Sequence, residues 1–510
     1  MRKSFRAGFS GVAAAAAALG MAELLAVFAG ARSAPLVAVG GVVVDHVPAA
    51  VKDFGVAVFG VHDKTALLSG TAILLGLYAY GIGVLARRRW PVAIGGIVLF
   101  GVVGAVAALT RPGAGPGAVV PSLAGAALAV PVLRHLLRLA DETPPGTSAS
   151  RPDSSYAVES RRRFVRQLGI VAAVAAGGGL AGRWLTARGA ATSARDELRL
   201  PATSEPPPVV PDGAQVEGAV PYVTPNSDFY RIDTALVSPL VDPASWTLRI
   251  HGMVRNPITI TWDELLKRPM VERYVTLACV SNEVGGDLIG NARWLGTPIK
   301  ALLDEADPLP GADQAVQRSV DGWTCGTPTA VLRDGRDALL AIGMNGEPLP
   351  VGHGFPARMI VPGLYGYVSA CKWITEIELT RFADFDAYWV PRGWAAQAPI
   401  KTQSRIDTPR DGASRKSGQV VVAGVAWAQH RGIAKVEVQV DDGPWEVASL
   451  APAVSDDTWR QWSHGWAAEP GEHVLRVRAT DLDGYTQTSE PADPAPDGAT
   501  GWHEVTVSVG

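Results

Sequence analysis

Apolar residues in this chain gather into long uninterrupted runs before residue 185 and scatter after it. A helix needs about 20 such residues to cross the hydrocarbon core of a bilayer. Runs of that kind are read at 8–30, 64–86, 91–110, 117–139 and 164–182. The stretch 35–62 is apolar too, but Asp45, His46, Lys52 and Asp53 interrupt it. Charges inside a membrane are costly, so this stretch is expected as a loop or as a helix lying at the interface.

Basic residues orient the runs. Arg2, Lys3 and Arg6 precede the first, and Arg87, Arg88 and Arg89 follow the second. Arg134 and Arg138 close the fourth, and Arg161, Arg162, Arg163 and Arg166 open the fifth. With five spans and the amino terminus inside, every cluster falls on the cytoplasmic side; a sixth span over 35–62 would move some of them outside. The expectation is a multi-pass chain in the lipid bilayer of the cell membrane, extracytoplasmic beyond about residue 185. The segment Ser160-Arg161-Arg162-Arg163-Phe164-Val165-Arg166, with a weakly hydrophobic Gly-rich run behind it, resembles the twin-arginine export signature, a route for already folded proteins. Read more plainly, the same arginines only fix topology.

The domain plan that follows is a membrane domain with four spans (1–140), a cytoplasmic linker (141–163), the fifth span (164–184) and an extracytoplasmic linker (185–220). The second linker contains Pro206-Pro207-Pro208 and is expected to stand the rest of the chain off from the membrane. A soluble domain over 221–411 and a smaller one over 412–510 complete the plan. The net charge of −3 lacks the basic footprint of a nucleic-acid binder. Cys279, Cys325 and Cys371 are odd in number and too few for a disulfide framework, so at least one is a free thiol.

From Pro221 the texture is one of short strands and turns. Trp246-Thr-Leu-Arg-Ile-His-Gly252 alternates like a strand, and Thr261-Trp-Asp-Glu264 reads as a capped helix start. Arg273-Tyr-Val-Thr-Leu-Ala-Cys279 is β-branched and aromatic, then runs into the turn Val-Ser-Asn-Glu-Val-Gly-Gly. Cys279 is therefore expected at a strand end facing a loop, although a cysteine closing an apolar strand is, on local grounds alone, more often a core residue. Downstream come His353-Gly-Phe-Pro-Ala-Arg358, Ile360-Val-Pro-Gly-Leu-Tyr-Gly366 and Cys371-Lys372-Trp373. Pro and Gly at that density make turns whose backbone can approach a ligand. Arg358, Lys372 and His353 offer donors suited to an anionic phosphate, and each taken singly also reads as a solvated or ion-paired surface residue. Cys325, in Gly-Trp-Thr-Cys-Gly-Thr-Pro, is expected in a turn as a small apolar side chain, and Cys371 close to the phosphate donors.

From Pro221 onward the sequence resembles the sulfite oxidase family, which includes plant assimilatory nitrate reductase and a bacterial methionine-sulfoxide reductase subunit. The matching pieces keep the family's order: Phe229-Tyr-Arg-Ile-Asp233, Leu277-Ala-Cys279-Val-Ser-Asn282, Met344-Asn-Gly-Glu-Pro-Leu-Pro350 with His353–Arg358, Pro362-Gly363 and Lys372-Trp373. The resemblance implies an α+β sulfite-oxidase-type cofactor domain that binds molybdenum-molybdopterin, one pterin per molybdenum. Cys279 matches the cysteine whose sulfur binds the metal, which suits a soft thiolate. Tyr230, Arg231, His353, Arg358 and Lys372 match positions that hold the pterin and its phosphate.

The departures fall on the substrate side. Where sulfite oxidases carry paired arginines after the cysteine, this chain has Glu283 and Val284. Asp233 replaces a histidine of the first loop, Trp394 stands at a position often tyrosine, and the stretch from Gly366 to Lys372 is one residue longer. Such a pocket should attract a small dianion less strongly, so sulfite is expected to be a poor substrate.

Residues 412–510 read as all-β, with strands at Gln419–Trp427, Lys435–Val440, Trp445–Val447, Thr458–Trp462, His473–Arg478 and His503–Val509. An immunoglobulin-like β-sandwich is expected, resembling the dimerisation domain of the same family and hence pointing to a homodimer; alone, the segment also reads as a free-standing binding module. The leading expectation is a membrane-anchored molybdopterin oxidoreductase acting on a small or protein-borne substrate outside the membrane. A reductase of methionine sulfoxide or other S- or N-oxides is the alternative within the family, and a non-catalytic surface protein that retains the fold the alternative outside it. His46, His62 and His135 do not pair at equal depths on two helices, so a separate electron-transfer partner, a cytochrome or quinone-linked protein, is expected in place of an internal haem.

Overall fold

The structure, a computed structural model, describes residues 2–47, 51, 58, 63–141, 154–187 and 190–510. They form two compact units, Met1–Ala190 with Thr234–Ser238, and Ala191–Asp233 with Pro239–Gly510.

The first unit is helical: α1 (Arg2–Ala29), α2 (Pro35–His46), α3 (Asp63–Ala86), α4 (Trp90–Leu109), α5 (Val120–Asp141) and α6 (Ser154–Ala187). Among the described residues, five segments are long and apolar enough to cross a membrane: Ser4–Ala29, Ala66–Ala86, Trp90–Leu109, Pro116–Asp141 and Arg162–Leu185. These are the runs read from the sequence. The short apolar helix α2 covers the described part of 35–62, and His62 lies outside the described residues. α1 packs against α3, α5 and α6. Small residues permit the approach: a Cβ built at Gly11 would lie 2.0 Å from the Ala79 carbonyl oxygen, and one at Gly20 2.5 Å from that of Ala175. One boundary differs from expectation. α6 begins at Ser154, so 154–163 is helical where a linker was expected, and residues 142–153 of that linker lie outside the described residues.

The second unit opens with α7 (Ala190–Glu197), and here the expected stand-off linker is instead a packed arm. Arg195 Nε donates to the Leu349 carbonyl at 2.9 Å, and its Nη2 pairs with Glu347 at 2.9 Å. Leu198, Leu200 and Val210 pack on the core and Ala214 is buried in it. The prolines prevent a helix, but the apolar residues around them still bury, which a freely solvated linker would forgo.

Ten strands follow: β1 (Thr247–Gly252), β2 (Ile258–Thr261), β3 (Val271–Ala278), β4 (Ile289–Pro298), β5 (Gln314–Ser319), β6 (Thr324–Pro328), β7 (Leu339–Met344), β8 (Glu347–Pro348), β9 (Arg358–Ile360) and β10 (Ile374–Thr380). One sheet has the order β2-β1-β10-β5-β6; the other has β3-β4-β7-β8, with β9 also paired to β7. Two short helices accompany them, α8 (Trp262–Leu266) and α9 (Ile299–Ala306). Thr261 caps α8 with the reciprocal Glu264 contacts that the sequence announced. Cys325 departs from expectation: the turn ends before it, and it sits fully buried within β6, opposite Gln317 of β5.

Nine further strands complete the unit: β11 (Gln403–Thr408), β12 (Ala413–Arg415), β13 (Gly418–Trp427), β14 (Ile433–Val440), β15 (Trp445–Val447), β16 (Ser449–Leu450), β17 (Arg460–Ala468), β18 (Gly471–Asp481) and β19 (His503–Val509). They form two sheets, β11-β13-β17-β16 and β12-β19-β18-β14-β15. Ile406, Val422 and Trp462 of the first share one core with Val436, Val477 and Val507 of the second. Because β11 pairs with β13, these sheets begin before residue 412. Their core is not sealed off. Val425, Trp427 and Trp459 are buried together with Ala278, Leu364 and Tyr365 of the preceding sheets.

Candidate active site

Cys279 is the first residue after β3, and its N–H donates to the Leu288 carbonyl at 2.9 Å. Residues 280–288 thus leave and return at one point. Inside this loop the Asn282 amide donates to the Cys279 carbonyl at 3.1 Å, and the Asn282 side-chain oxygen accepts from the Leu288 N–H at 2.8 Å. The thiol is buried. Burial pushes it above the usual thiol range, while the neighbouring Ser281 and Val280 pull the other way. A group so placed stays protonated on its own and gives up its proton to a metal.

The other residues singled out in the sequence gather from three segments. In the first, Phe229 is buried, stacks on Tyr230 at 5.3 Å and meets the His353 ring edge-on at 5.7 Å. The Tyr230 hydroxyl is held above the ordinary phenol range by burial, reinforced by Cys279 and opposed by Arg358. Tyr230, Cys279 and Arg358 therefore share one neighbourhood. In the second, His353, Arg358 and Lys372 are all buried, which removes the reading of each as a solvated surface side chain. Arg358 lies over the Trp294 ring at 5.1 Å and donates through Nη1 to the His353 carbonyl at 3.0 Å. Burial draws it down to about 10, still charged at neutral pH. His353 is drawn down to about 4 by burial, then by Arg358, Lys372 and Arg231, and so is neutral at pH 7. In the third, Lys372 Nζ pairs with Asp233 at 2.7 Å and donates to the Gly352 carbonyl at 3.3 Å. Arg231 reaches the same carboxylate at 3.8 Å but is itself largely exposed.

These residues fit an anionic cofactor. The Arg358 guanidinium has no carboxylate partner among the described residues, and its buried Nε has no hydrogen-bond partner. A buried charge left in that state is costly, and an anion from outside the chain would satisfy it. Gly354, at φ 114°, completes the cradle: a Cβ there would lie 3.0 Å from Cβ of Arg358 and 3.1 Å from Cβ of Lys372. Lys372 is different, because Asp233 already meets much of its charge.

Trp294 and Ser281 escaped the sequence reading. Trp294 supplies the aromatic face under Arg358 from β4, a contact no local spacing reveals. Ser281, two residues after the cysteine, was legible in principle as part of the tight turn that Asn282 closes on the Cys279 carbonyl. Tyr365 was also missed; burial, with Asp497 and Cys279 adding to it, pushes its hydroxyl up to about 12.

Of the departures, Asp233 lies in the buried pair with Lys372, whereas Glu283 and Val284 lie on a more open side. Glu283 is exposed and Val284 half-buried. Trp394 packs on Tyr367 at 5.8 Å and on Trp389 at 6.3 Å, and Tyr367 follows directly on Gly366. The long stretch after Gly366 makes a tight turn, Gly366–Val368, stapled by the Ser369 hydroxyl donating to the Leu364 and Tyr365 carbonyls at 3.1 and 2.9 Å.

Residues 235–389 match the family model described as oxidoreductase molybdopterin binding domain. Human mitochondrial sulfite oxidase is 29% identical over 341 residues, which are 56% of this chain and 62% of that protein. The catalytic subunit of a protein-methionine-sulfoxide reductase from Gluconobacter oxydans (strain 621H) is 31% identical over 216 residues, covering 37% of this chain and 65% of its own length. The chain thus spans a little under two thirds of these relatives. Among solved structures, the sulfane dehydrogenase SoxCD from Paracoccus pantotrophus superposes with a TM-score of 0.49 at 22% identity, over 56% of this chain and 83% of that one. The class of the catalytic half is that of molybdopterin-dependent oxidoreductases, enzymes whose cofactor is molybdenum-molybdopterin. Within that class the chain is similar to sulfite oxidases and to a protein-methionine-sulfoxide reductase catalytic subunit.

Proposed function

We propose that this protein is a membrane-anchored oxidoreductase acting outside the cytoplasmic membrane, with Cys279 as the protein's metal ligand. The observation that carries the reading is the meeting, around Tyr230, of a buried thiol at a strand end with a buried guanidinium that lacks a carboxylate partner. No three His, Cys, Asp or Glu side chains converge to hold an ion among the described residues, so a metal beside Cys279 would share this thiolate with the pterin's sulfurs. Arg358 and neutral His353 hold the anionic part of the cofactor, Tyr230 and Arg231 line its first loop, and Lys372, steadied by Asp233, adds a weaker positive contact. The bound metal group supplies the redox chemistry; the residues orient it, exclude water and set the local charge. Five apolar segments support the anchor, and the arginine clusters beside them support an outward-facing catalytic half. The paired sheets over 403–510 are read as an immunoglobulin-like sandwich, the domain through which a homodimer would form. A cytochrome or quinone-linked protein would exchange electrons with the site.

Sulfite is not the favoured substrate, because Glu283 and Val284 stand where sulfite oxidases carry positive charge. The rings of Tyr367, Trp389 and Trp394 support a second reading, reduction of methionine sulfoxide or another neutral S- or N-oxide, since polarizable sulfur packs well on aromatic faces. The test is a screen of the purified full chain with sulfite, sulfoxides and N-oxides against artificial electron donors and acceptors. Sulfite turnover comparable with that of sulfite oxidases would overturn the substrate reading.

A further inference from the structure

The loop that begins at Cys279 is held from outside by two residues of the carboxyl-terminal sheets. Arg405, on β11, is buried; its Nη1 donates to the Gly286 carbonyl at 2.7 Å, and its Nε pairs with Asp407 at 2.7 Å. Asp407 is held in turn by the Val220 N–H at 3.1 Å, so the guanidinium has little freedom to swing. The adjoining Ile406 N–H donates to Nδ1 of His503 at 3.0 Å. That bond makes Nδ1 the acceptor and leaves any ring proton on Nε2. The same ring presses on Gly285: a Cβ built there would fall 2.2 Å from His503 Cδ2 and 2.3 Å from its Nε2. Gly285 has φ 77°, so the close approach and the backbone turn both call for glycine.

A second tie lies on the strand that delivers the cysteine. Thr276, three residues before Cys279, donates its N–H to the Asp457 carbonyl at 3.0 Å, and its hydroxyl accepts from the Trp459 N–H at 2.8 Å. Its carbonyl accepts from the Gln429 side chain at 2.9 Å. Strand and loop tip are therefore both fixed to the carboxyl-terminal sheets. Between them lies the loop interior, where the Asn282 side-chain oxygen fills the space beside Gly286: a Cβ there would be 2.6 Å away. A shift at the tip therefore passes through Asn282, whose N–H donates to the Cys279 carbonyl at 3.1 Å.

We propose that Arg405 and His503 are positioning residues that hold the loop following Cys279 and so fix the surroundings of its sulfur, making the carboxyl-terminal sheets part of the reaction centre. The proposal rests on the reading of Cys279 as the metal ligand. Donors to a metal-bound sulfur lower its electron donation to the metal, so the loop's geometry is readable in the metal's spectrum.

The test uses the full-length, detergent-solubilised holoprotein and the variants Arg405→Met, Arg405→Lys, His503→Gln and Cys279→Ser. Measured on each are molybdenum content, the visible absorption and Mo(V) paramagnetic resonance signals, and amide exchange of the peptide covering 280–288. Arg405→Met and His503→Gln are expected to keep their molybdenum, to shift both spectra, and to speed exchange in 280–288 by about tenfold or more; Arg405→Lys should restore part of the spectral change. Unchanged spectra and exchange in molybdenum-loaded Arg405→Met and His503→Gln would overturn the proposal. Should Arg405→Met fail to fold, His503→Gln and Arg405→Lys decide the matter on the same readouts. Cys279→Ser separates the two readings, because unaltered metal spectra in that variant would remove the ligand assignment itself.

Discussion

The cradle around Arg358 and the rim around Glu283 differ in the physical pressures on them. In the cradle, His353, Arg358 and Lys372 are buried, and each buried charge or dipole constrains its neighbours, so residue types there have little freedom to change. On the rim, Glu283 is exposed and Val284 half-buried, and a change of side chain alters the field felt by a substrate without disturbing the packing. Apart from Asp233, the cradle reads like the family, and the rim does not. One metal chemistry can thus be kept while the molecule it acts on changes.

The largest effect should come from the residue at the boundary of the two regions. Cys279→Ser is expected to lower turnover by about three orders of magnitude or more, with the circular dichroism spectrum unchanged, because serine fills the same space but is a poor soft donor. Next, Arg358→Met should leave the cofactor without its buried cation; molybdenum per chain after dialysis should fall as expected from a loss of roughly 1.5–3 kcal/mol in cofactor binding. If Arg358→Met retains full molybdenum, the cradle is misassigned. The rim should respond in the opposite sense: Glu283→Arg is expected to raise kcat/KM for sulfite about tenfold with cofactor content unchanged. A loss of cofactor in that variant would erase the distinction between the regions.

The smallest effect is one of pH. His353 binds its proton at about 4 in the folded chain, below its ordinary value near 6.5. The unfolded chain therefore takes up this proton first as pH falls. The residue's contribution is complete above about pH 6.5 and is lost progressively down to about 4, by about 3 kcal/mol in all. Thermal unfolding of cofactor-free protein across that window should be less acid-sensitive in His353→Gln than in the parent; equal sensitivity would show that another group carries the effect.

Periodic features were the ones legible in the sequence. The five apolar segments, the capped start of α8 and the strands β13, β14, β15, β18 and β19 rest on local spacing and match to within a few residues. What was missed depends on contacts between distant segments. The arm around Pro206–Pro208 looks like a linker because its composition is a linker's, yet it packs through Leu198, Leu200 and Val210. Cys325 was assigned to a turn because glycines flank it, although pairing with Gln317 of β5 makes it part of a strand. Motif order is what singled out Cys279, His353, Arg358 and Lys372 as the proposed site, while nothing in the sequence pointed to Trp294, Arg405 and His503. Each of these acts on a loop far from it in the chain, and no spacing within its own strand signals that.

The central claim is that the Cys279 sulfur is bound to the metal, and the direct measurement is molybdenum X-ray absorption on the full-length holoprotein and on Cys279→Ser loaded in the same host. The account predicts that both carry molybdenum and that the variant's metal shows one fewer short sulfur ligand, the pterin's two dithiolene sulfurs remaining. An identical sulfur shell in the two proteins would contradict it.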